Sequence, residues 1–208
     1  MKPGFTLIEL LAVIAIVGIL ASILVVVTGQ VKQSAAKMDA LNSMRNIGVA
    51  TQLYVNDNDG FLPGPAFGLQ TPRYRSDSSN LSRHLWAYLD ASEPTSELIE
   101  IDGVVDRYRQ NVGHTTAWIR CDSNVLMQNG KRLDPFGYPG ASPETDPKRA
   151  EVQKLMNIYN PAKEMMLEDA DQTNTWSGAG WYGTLPEQPM YDSRLRLFFD
   201  GHVEAVNI

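Results

Sequence analysis

One acidic side chain borders the most apolar stretch of the chain. Leu10 to Val27 contains 18 residues, of which only Ser22 is polar, and Glu9 directly precedes this run. A carboxylate in a bilayer costs ~2.5–3.5 kcal/mol on insertion scales, and less near the interface. Glu9 is therefore either a functional charge that pairs with an unidentified partner, or a side chain that extends to the lipid headgroups and has no functional role.

Other residues that could support catalysis are scattered. His84, His114 and His202 lie far apart and in no metal-ligand spacing. The sequence contains no nucleophile elbow, phosphate-binding loop, H-E-x-x-H or C-x-x-C motif. We therefore expect no enzyme activity, no cofactor and no metal.

Two weaker signals concern cysteine and calcium. Cys121 is the single cysteine, so no intramolecular disulfide can form, and we expect it to be a small buried hydrophobe. The acidic run Asn56–Gly60 invites a calcium interpretation, but Val55 and Pro63 break the alternation of an EF-hand loop. Acidic loops such as Glu168–Asp171 remain open to calcium, without assigned ligands.

A long helix is needed to position Glu9. At ~1.5 Å per residue, Phe5 to Val27 would cover ~34 Å, enough to cross a hydrocarbon core. Residues 5–28 are thus predicted as a transmembrane helix. Apolar residues then recur every three or four positions, which predicts an amphipathic continuation over residues 29–56. The helix is predicted to end at the turn-forming residues Asn56–Gly60, which Pro63 follows.

Residues 57–208 are predicted to form one compact domain. Acidic residues outnumber basic ones there, which argues against nucleic-acid binding and fits a self-repelling, soluble surface. The predicted fold class is α+β, with the long N-terminal helix packed on a small antiparallel β-sheet domain. Sequence patterns predict a helix over 81–89 capped by Ser79 or Asn80, a helix near 150–158, strands at 97–101, 104–108, 115–121 and 163–170, and a C-terminal hairpin turning at Asp200-Gly201.

The stretch G-F-T-L-I-E at Gly4–Glu9, with the apolar run after it, resembles the start of type IV pilins and type II secretion pseudopilins. The strong resemblance covers roughly residues 1–55. It implies that residues 1–4 are a leader, that prepilin peptidase cuts between Gly4 and Phe5, and that the new amine of Phe5 is methylated. It also implies that Glu9 acts in subunit assembly, where the carboxylate neutralises the Phe5 amine of a neighbouring subunit.

The resemblance further implies location and partners. The protein would sit in the inner membrane as a single-pass protein, with a cytoplasmic N-terminus and a periplasmic domain at residues 57–208. It would then enter a pseudopilus or pilus fibre. Its partners would be prepilin peptidase, like subunits, other pseudopilins and the secretion or pilus assembly platform, and no nucleic acid is expected.

The remainder is more faintly similar to pseudopilin-like proteins of Planctomycetes and Verrucomicrobia. Many of those relatives carry a His where this chain has Met190, so a role of that His does not carry over. Many pilins have a Pro where this chain has Val26, and many type IV pilins close a C-terminal disulfide that one cysteine cannot form. This last departure favours a pseudopilin. The residues that carry the similarity are Tyr54–Pro63, Tyr108–Asn111, Pro135–Gly140, Asn160–Lys163, Glu168–Asp171 and Phe198–Val203.

Three alternatives remain. The first is a minor type IV pilin for adhesion, motility or DNA uptake, which differs mainly in its partner machinery. The second is a carbohydrate- or surface-binding module displayed on a fibre, which Trp86, Trp118, Trp176 and Trp181 would serve. The third is a membrane-tethered periplasmic enzyme, which has the least support.

Overall fold

The computed structural model describes residues 6–71, 73–100, 119–175, 185–187 and 193–207, except for the side chains of 23–30, 33 and 100. The chain divides into two compact units, Met1–Asp39 and Ala40–Ile208. The strand predicted at 104–108 lies outside the described residues, as does most of the one predicted at 115–121.

The first described element is a long helix, α1, which runs from Leu7 to Asp57. It ends where Asp59 and Gly60 adopt left-handed backbone angles, with φ of 51° and 83°. The Gly60 amide donates to the Val55 carbonyl at 2.9 Å, a hydrogen bond that closes the last turn. The predicted long helix and its end at Asn56–Gly60 are therefore confirmed.

In the first unit, the helix exposes its apolar side chains. Leu7, Ile8 and Ile14 are 82%, 74% and 61% exposed. The hydroxyl of Ser22 donates to the Ile19 carbonyl at 2.7 Å, so the single polar residue of the run is satisfied within its own helix. Among the described residues, no helix meets the length and apolarity that a membrane crossing demands.

The second unit is built on a five-stranded antiparallel sheet in the order β1-β4-β7-β8-β9. Two further two-stranded sheets pair β2 with β3 and β5 with β6. The predicted α+β class with an antiparallel sheet is confirmed. The strands are β1 Leu69–Gln70, β2 Arg73–Tyr74, β3 Ile99–Glu100, β4 Ile119–Cys121, β5 Val125–Leu126, β6 Arg132–Leu133, β7 Met165–Asp169, β8 Ser193–Phe198 and β9 Val203–Asn207.

The part of α1 in this unit buries one face in the core. Ala40, Met44 and Ala50 are completely buried and join the cluster that contains Leu195 and Leu197. With Ile47, which is also buried, they are spaced by four, three and three residues, as in a helix stripe that faces a core. This face confirms the predicted packing for residues 40–55, whereas Val31 and Met38 of the predicted stripe are 60% and 52% exposed.

Gly48 lets the helix approach the β8–β9 hairpin closely. A Cβ at this position would lie 2.9 Å from Leu197 Cδ1 and 3.6 Å from the Gly201 Cα. One turn later, the Gln52 side-chain amide donates to the Phe199 carbonyl at 2.8 Å. The hairpin turn is therefore held directly on α1, and the missing side chain of Gly48 makes room for it.

The second helix, α2, spans Leu81–Leu85 and continues as a 3₁₀ turn, Trp86–Tyr88. The predicted side-chain cap is wrong, because the side-chain amide of Asn80 donates to the Arg73 carbonyl at 2.9 Å and makes no bond to the helix start. The first free amide of the helix, that of Leu81, donates to the Gln70 side-chain oxygen at 2.6 Å. Gln70, ten residues before Asn80, therefore accepts the hydrogen bond that an N-cap side chain would otherwise accept.

The predicted helix near 150–158 is wrong. This segment contains a 3₁₀ turn, Leu155–Asn157, flanked by extended chain. The Leu62 amide donates to the Gln153 carbonyl at 3.0 Å, and Met127 forms a bridge with Ile158. Backbone partners distant in sequence therefore replace the hydrogen bonds that a helix would make. By contrast, the strand at 163–170 and the Asp-Gly hairpin are confirmed by β7, β8 and β9.

Candidate functional site

The N-terminal segment places Thr6 and Glu9 in a reciprocal hydrogen-bonded pair. The Glu9 carboxylate accepts from the Thr6 backbone amide at 2.9 Å and from the Thr6 hydroxyl at 2.8 Å. In return, the Glu9 amide donates to the Thr6 hydroxyl oxygen at 3.4 Å. This is the geometry of a capping box, in which two unpaired donors at a helix start are satisfied together.

The capping box gives Glu9 a local partner that the sequence analysis missed. The pattern Thr-x-x-Glu ahead of an apolar run is the signal that predicts such a box, and Thr6-Leu7-Ile8-Glu9 carries it. The pair lies at the positive end of the α1 dipole, where a carboxylate is favoured. The structure does not test the assembly role of Glu9, and Gly4 and Phe5 lie outside the described residues.

In the second unit, charged residues form an alternating row across the main sheet. Arg120 of β4 lies opposite Glu168 of β7, which lies opposite Arg196 of β8, which lies opposite Glu204 of β9. The Glu168 side chain is 2% exposed, and both arginines donate to it. Opposite charges on neighbouring strands stabilise the pairing register.

A second buried ion pair lies beside this row. The Arg194 guanidinium donates to one oxygen of Asp171 through Nε at 3.0 Å and through Nη2 at 2.8 Å. Asp171 is 1% exposed, and its other oxygen accepts from the Thr173 amide at 2.7 Å. Arginines and backbone amides therefore occupy the carboxylates of Glu168 and Asp171, which the sequence analysis left open to calcium.

The acidic end of α1 also makes local contacts. The Tyr88 hydroxyl donates to the Asp57 carboxylate at 2.9 Å, and the side-chain amide of Asn58 donates to the Tyr54 carbonyl at 2.8 Å. No cluster of three or more His, Cys, Asp or Glu side chains suited to a metal ion occurs among the described residues.

The remaining candidates separate into buried and exposed groups. Cys121 is buried, and burial raises its pKa well above the usual value, as expected for a structural thiol. His202 stacks on Phe198, with 4.2 Å between ring centres, and contacts Asp200 at the hairpin turn. His84 lines a cleft near the end of α1. The structure does not bring His84 and His202 together, and His114 lies outside the described residues.

Comparison with known proteins identifies one similarity. Residues 2–25 match the family model described as the prokaryotic N-terminal methylation motif. No curated protein and no solved structure matches the chain. The matched segment supports the resemblance to prepilin-like proteins, namely pseudopilins and type IV pilins. It implies membrane anchoring, processing by prepilin peptidase and assembly with pilin-like subunits.

Proposed function

We propose that the chain is a structural subunit of a type II secretion-like pseudopilus and has no catalytic activity. Prepilin peptidase cuts between Gly4 and Phe5 and methylates the Phe5 amine. Before assembly, the protein is held in the inner membrane with its N-terminus in the cytoplasm and residues 57–208 in the periplasm. The observation that carries the proposal is the match of residues 2–25 to the methylation motif.

Two features of the sequence support a pseudopilin over a type IV pilin. The single cysteine, Cys121, is buried, so it forms no C-terminal disulfide loop. The domain of residues 57–208 has an acidic composition, which suits an aqueous compartment and argues against nucleic-acid binding through a basic face. A minor type IV pilin would share the same N-terminal segment and differ in its assembly machinery.

Assembly gives Glu9 a charged partner in addition to Thr6. In the single chain, the carboxylate accepts two hydrogen bonds from Thr6 of the same helix. Cleavage creates a positive amine on Phe5, and the corresponding amine of a neighbouring subunit pairs with Oε1 of the carboxylate, because both Thr6 donors bond to Oε2. Two opposite unit charges 4 Å apart attract by about 4 kcal/mol at an effective dielectric constant of 20. This attraction acts only where the amine of one subunit meets the carboxylate of the next, so it favours one axial register of the fibre.

The experiment separates the charge of Glu9 from its capping role. Glu9→Gln keeps an amide oxygen that can serve a capping box but removes the charge. Thr6→Ala removes the capping hydroxyl but keeps the carboxylate. We expect Glu9→Gln to lower fibre yield at least about tenfold, equivalent to 1.4 kcal/mol, and Thr6→Ala to lower it by less than about threefold.

Fibre yield is measured by shearing and immunoblotting, normalised to the subunit present in membranes and to the fraction processed by the peptidase. Wild-type yield from Glu9→Gln would show that the charge does not set the register. Equal losses from both variants would assign Glu9 to helix capping alone.

A further inference from the structure

An open cleft lies in the second unit beside the end of α1, with a volume of about 420 Å³. Tyr54 of α1, Arg83 and His84 of α2, and Trp86 of the 3₁₀ turn line it, together with Glu93 from the following loop. The volume falls within the ~300–1,000 Å³ typical of small-ligand pockets. None of these residues belongs to the N-terminal assembly segment.

Aromatic side chains form a pre-ordered wall of this cleft. The Tyr54 ring meets the His84 ring edge to face, with centres 6.3 Å apart, and meets the Tyr88 ring in the same way at 6.1 Å. Such contacts fix ring orientation in the free protein. Trp86 is half-buried and lines the same space. The wall therefore offers flat apolar surface without a large ordering cost on binding.

The polar groups of the cleft include donors and acceptors. Arg83 Nη1 donates to the Ser78 carbonyl at 3.1 Å, which fixes the guanidinium at the rim. Glu93 is exposed, and its carboxylate has no hydrogen-bond partner among the described residues. His84 Nε2 is buried and also lacks a partner within the described part of the chain. Burial, together with the Arg83 charge, lowers the pKa of His84, so the ring is neutral at pH 7 and keeps a free acceptor.

We propose that this cleft binds a neutral saccharide of one or two rings. Hydroxyl groups both donate and accept, so they satisfy Glu93 and Arg83 at once, and the apolar face of a sugar ring packs on Trp86 and Tyr54. A ligand with a single charge would be attracted by one of these two groups and repelled by the other, whereas neutral hydroxyls form hydrogen bonds with both. The lining residues come from helices, a 3₁₀ turn and loops, so no strand edge is present among them to pair with an extended peptide.

The test measures binding of neutral disaccharides to the full-length protein in a detergent without sugar headgroups. The probes are cellobiose, maltose and chitobiose, with glucuronic acid and a Gly-Ser peptide as comparisons, and the method is isothermal titration calorimetry supported by ligand-observed NMR. We expect saturable binding of at least one neutral disaccharide, weaker binding of glucuronic acid and none of the peptide.

Variants locate the site. Trp86→Ala and Glu93→Gln should each weaken binding at least about tenfold. The control Glu97→Gln, which changes an exposed acid in the same loop outside the cleft, should leave affinity within twofold. Circular dichroism confirms that each variant is folded, and Glu93→Gln keeps the test valid if Trp86→Ala does not fold.

Three results would overturn the proposal: no binding of any neutral disaccharide, binding that Glu93→Gln leaves unchanged, or preferential binding of glucuronic acid or the peptide. The proposal goes beyond fibre assembly and is independent of it. A chain that is never cleaved at Gly4 would still bind the saccharide through these residues.

Discussion

Gly64 lies where the chain passes closest to a neighbouring backbone. A Cβ at this position would lie 2.1 Å from the Phe136 carbonyl oxygen and 2.9 Å from Val152 Cγ2. The first contact is with backbone, which cannot move aside without disturbing the segment around Phe136. Gly64→Ala should therefore lower the free energy of unfolding by about 3 kcal/mol.

Gly68→Ala is the matched control, because nothing lies within 4 Å of a Cβ there. It should change stability by less than about 1 kcal/mol. Urea unfolding of the full-length protein followed by circular dichroism measures both variants. Equal stabilities would contradict the close approach of Gly64 to Phe136.

Asp134 is a buried acid whose ionisation opposes folding. Its side chain accepts from the Phe136 amide at 3.1 Å, and the residue is 3% exposed. Burial raises the pKa of Asp134 to about 6, even though the Arg149 charge acts in the opposite direction. The folded state therefore retains a proton between about pH 4 and pH 6 that the unfolded state has lost. Wild-type stability should fall as pH rises through this window.

Asp134→Asn removes this titration and keeps the oxygen that accepts from Phe136. Relative to wild type, the variant should gain up to about 3 kcal/mol on going from pH 4 to pH 7. The measurement is urea unfolding of both proteins at several pH values. A constant difference across the range would show that Asp134 is ionised at its ordinary pKa in the folded protein.

At the scale of elements, the loop after β7 is tied to β8 by the Asp171–Arg194 ion pair. Both partners are almost fully buried, at 1% and 9% exposure. Removing one charge of a buried pair leaves the other without compensation and costs about 3–5 kcal/mol. Asp171→Asn should therefore destabilise the protein by about 3 kcal/mol.

The Arg75–Asp77 pair provides a control on the surface. Its side chains are 53% and 67% exposed, so Asp77→Asn should cost less than about 1 kcal/mol. Chemical unfolding in the same buffer compares the two variants. A loss at Asp171 no larger than the loss at Asp77 would mean that Arg194 finds water or another partner once the carboxylate is gone.

Elements with strong local signals were predictable from the sequence. The Asp-Gly turn predicts the β8–β9 hairpin, and the run after Val55 predicts the end of α1. The strands β1, β2, β5 and β6 have two residues each, which is too short to show the alternation of apolar and polar residues that identifies a strand. The segment near 150–158 has helical composition, but its hydrogen bonds go to residues such as Leu62, which lie far away in sequence.

The buried charges show a second limit of sequence reasoning. The acidic composition predicts a self-repelling surface, yet Glu168 and Asp171 are nearly inaccessible and paired with arginines. Pairing of this kind depends on which strands become neighbours, and composition carries no information about that. The Thr6–Glu9 box, by contrast, was available from a four-residue pattern.

At the scale of the whole molecule, the two proposed activities belong to different segments of the chain. The N-terminal segment carries the processing motif and Glu9, and the second unit carries the five-stranded sheet and the cleft near Trp86. The proposed assembly role depends on the first part and the proposed saccharide binding on the second. Loss of either activity by substitution should therefore leave the other intact.

The proposed function depends on processing of the chain as a prepilin. The most direct measurement is mass spectrometry of the N-terminal peptide of the protein purified from cells with an active prepilin peptidase. We expect a chain that begins at N-methylated Phe5 and lacks Met1–Gly4. An N-terminus at Met1 in those cells, with no methyl group on Phe5, would contradict it.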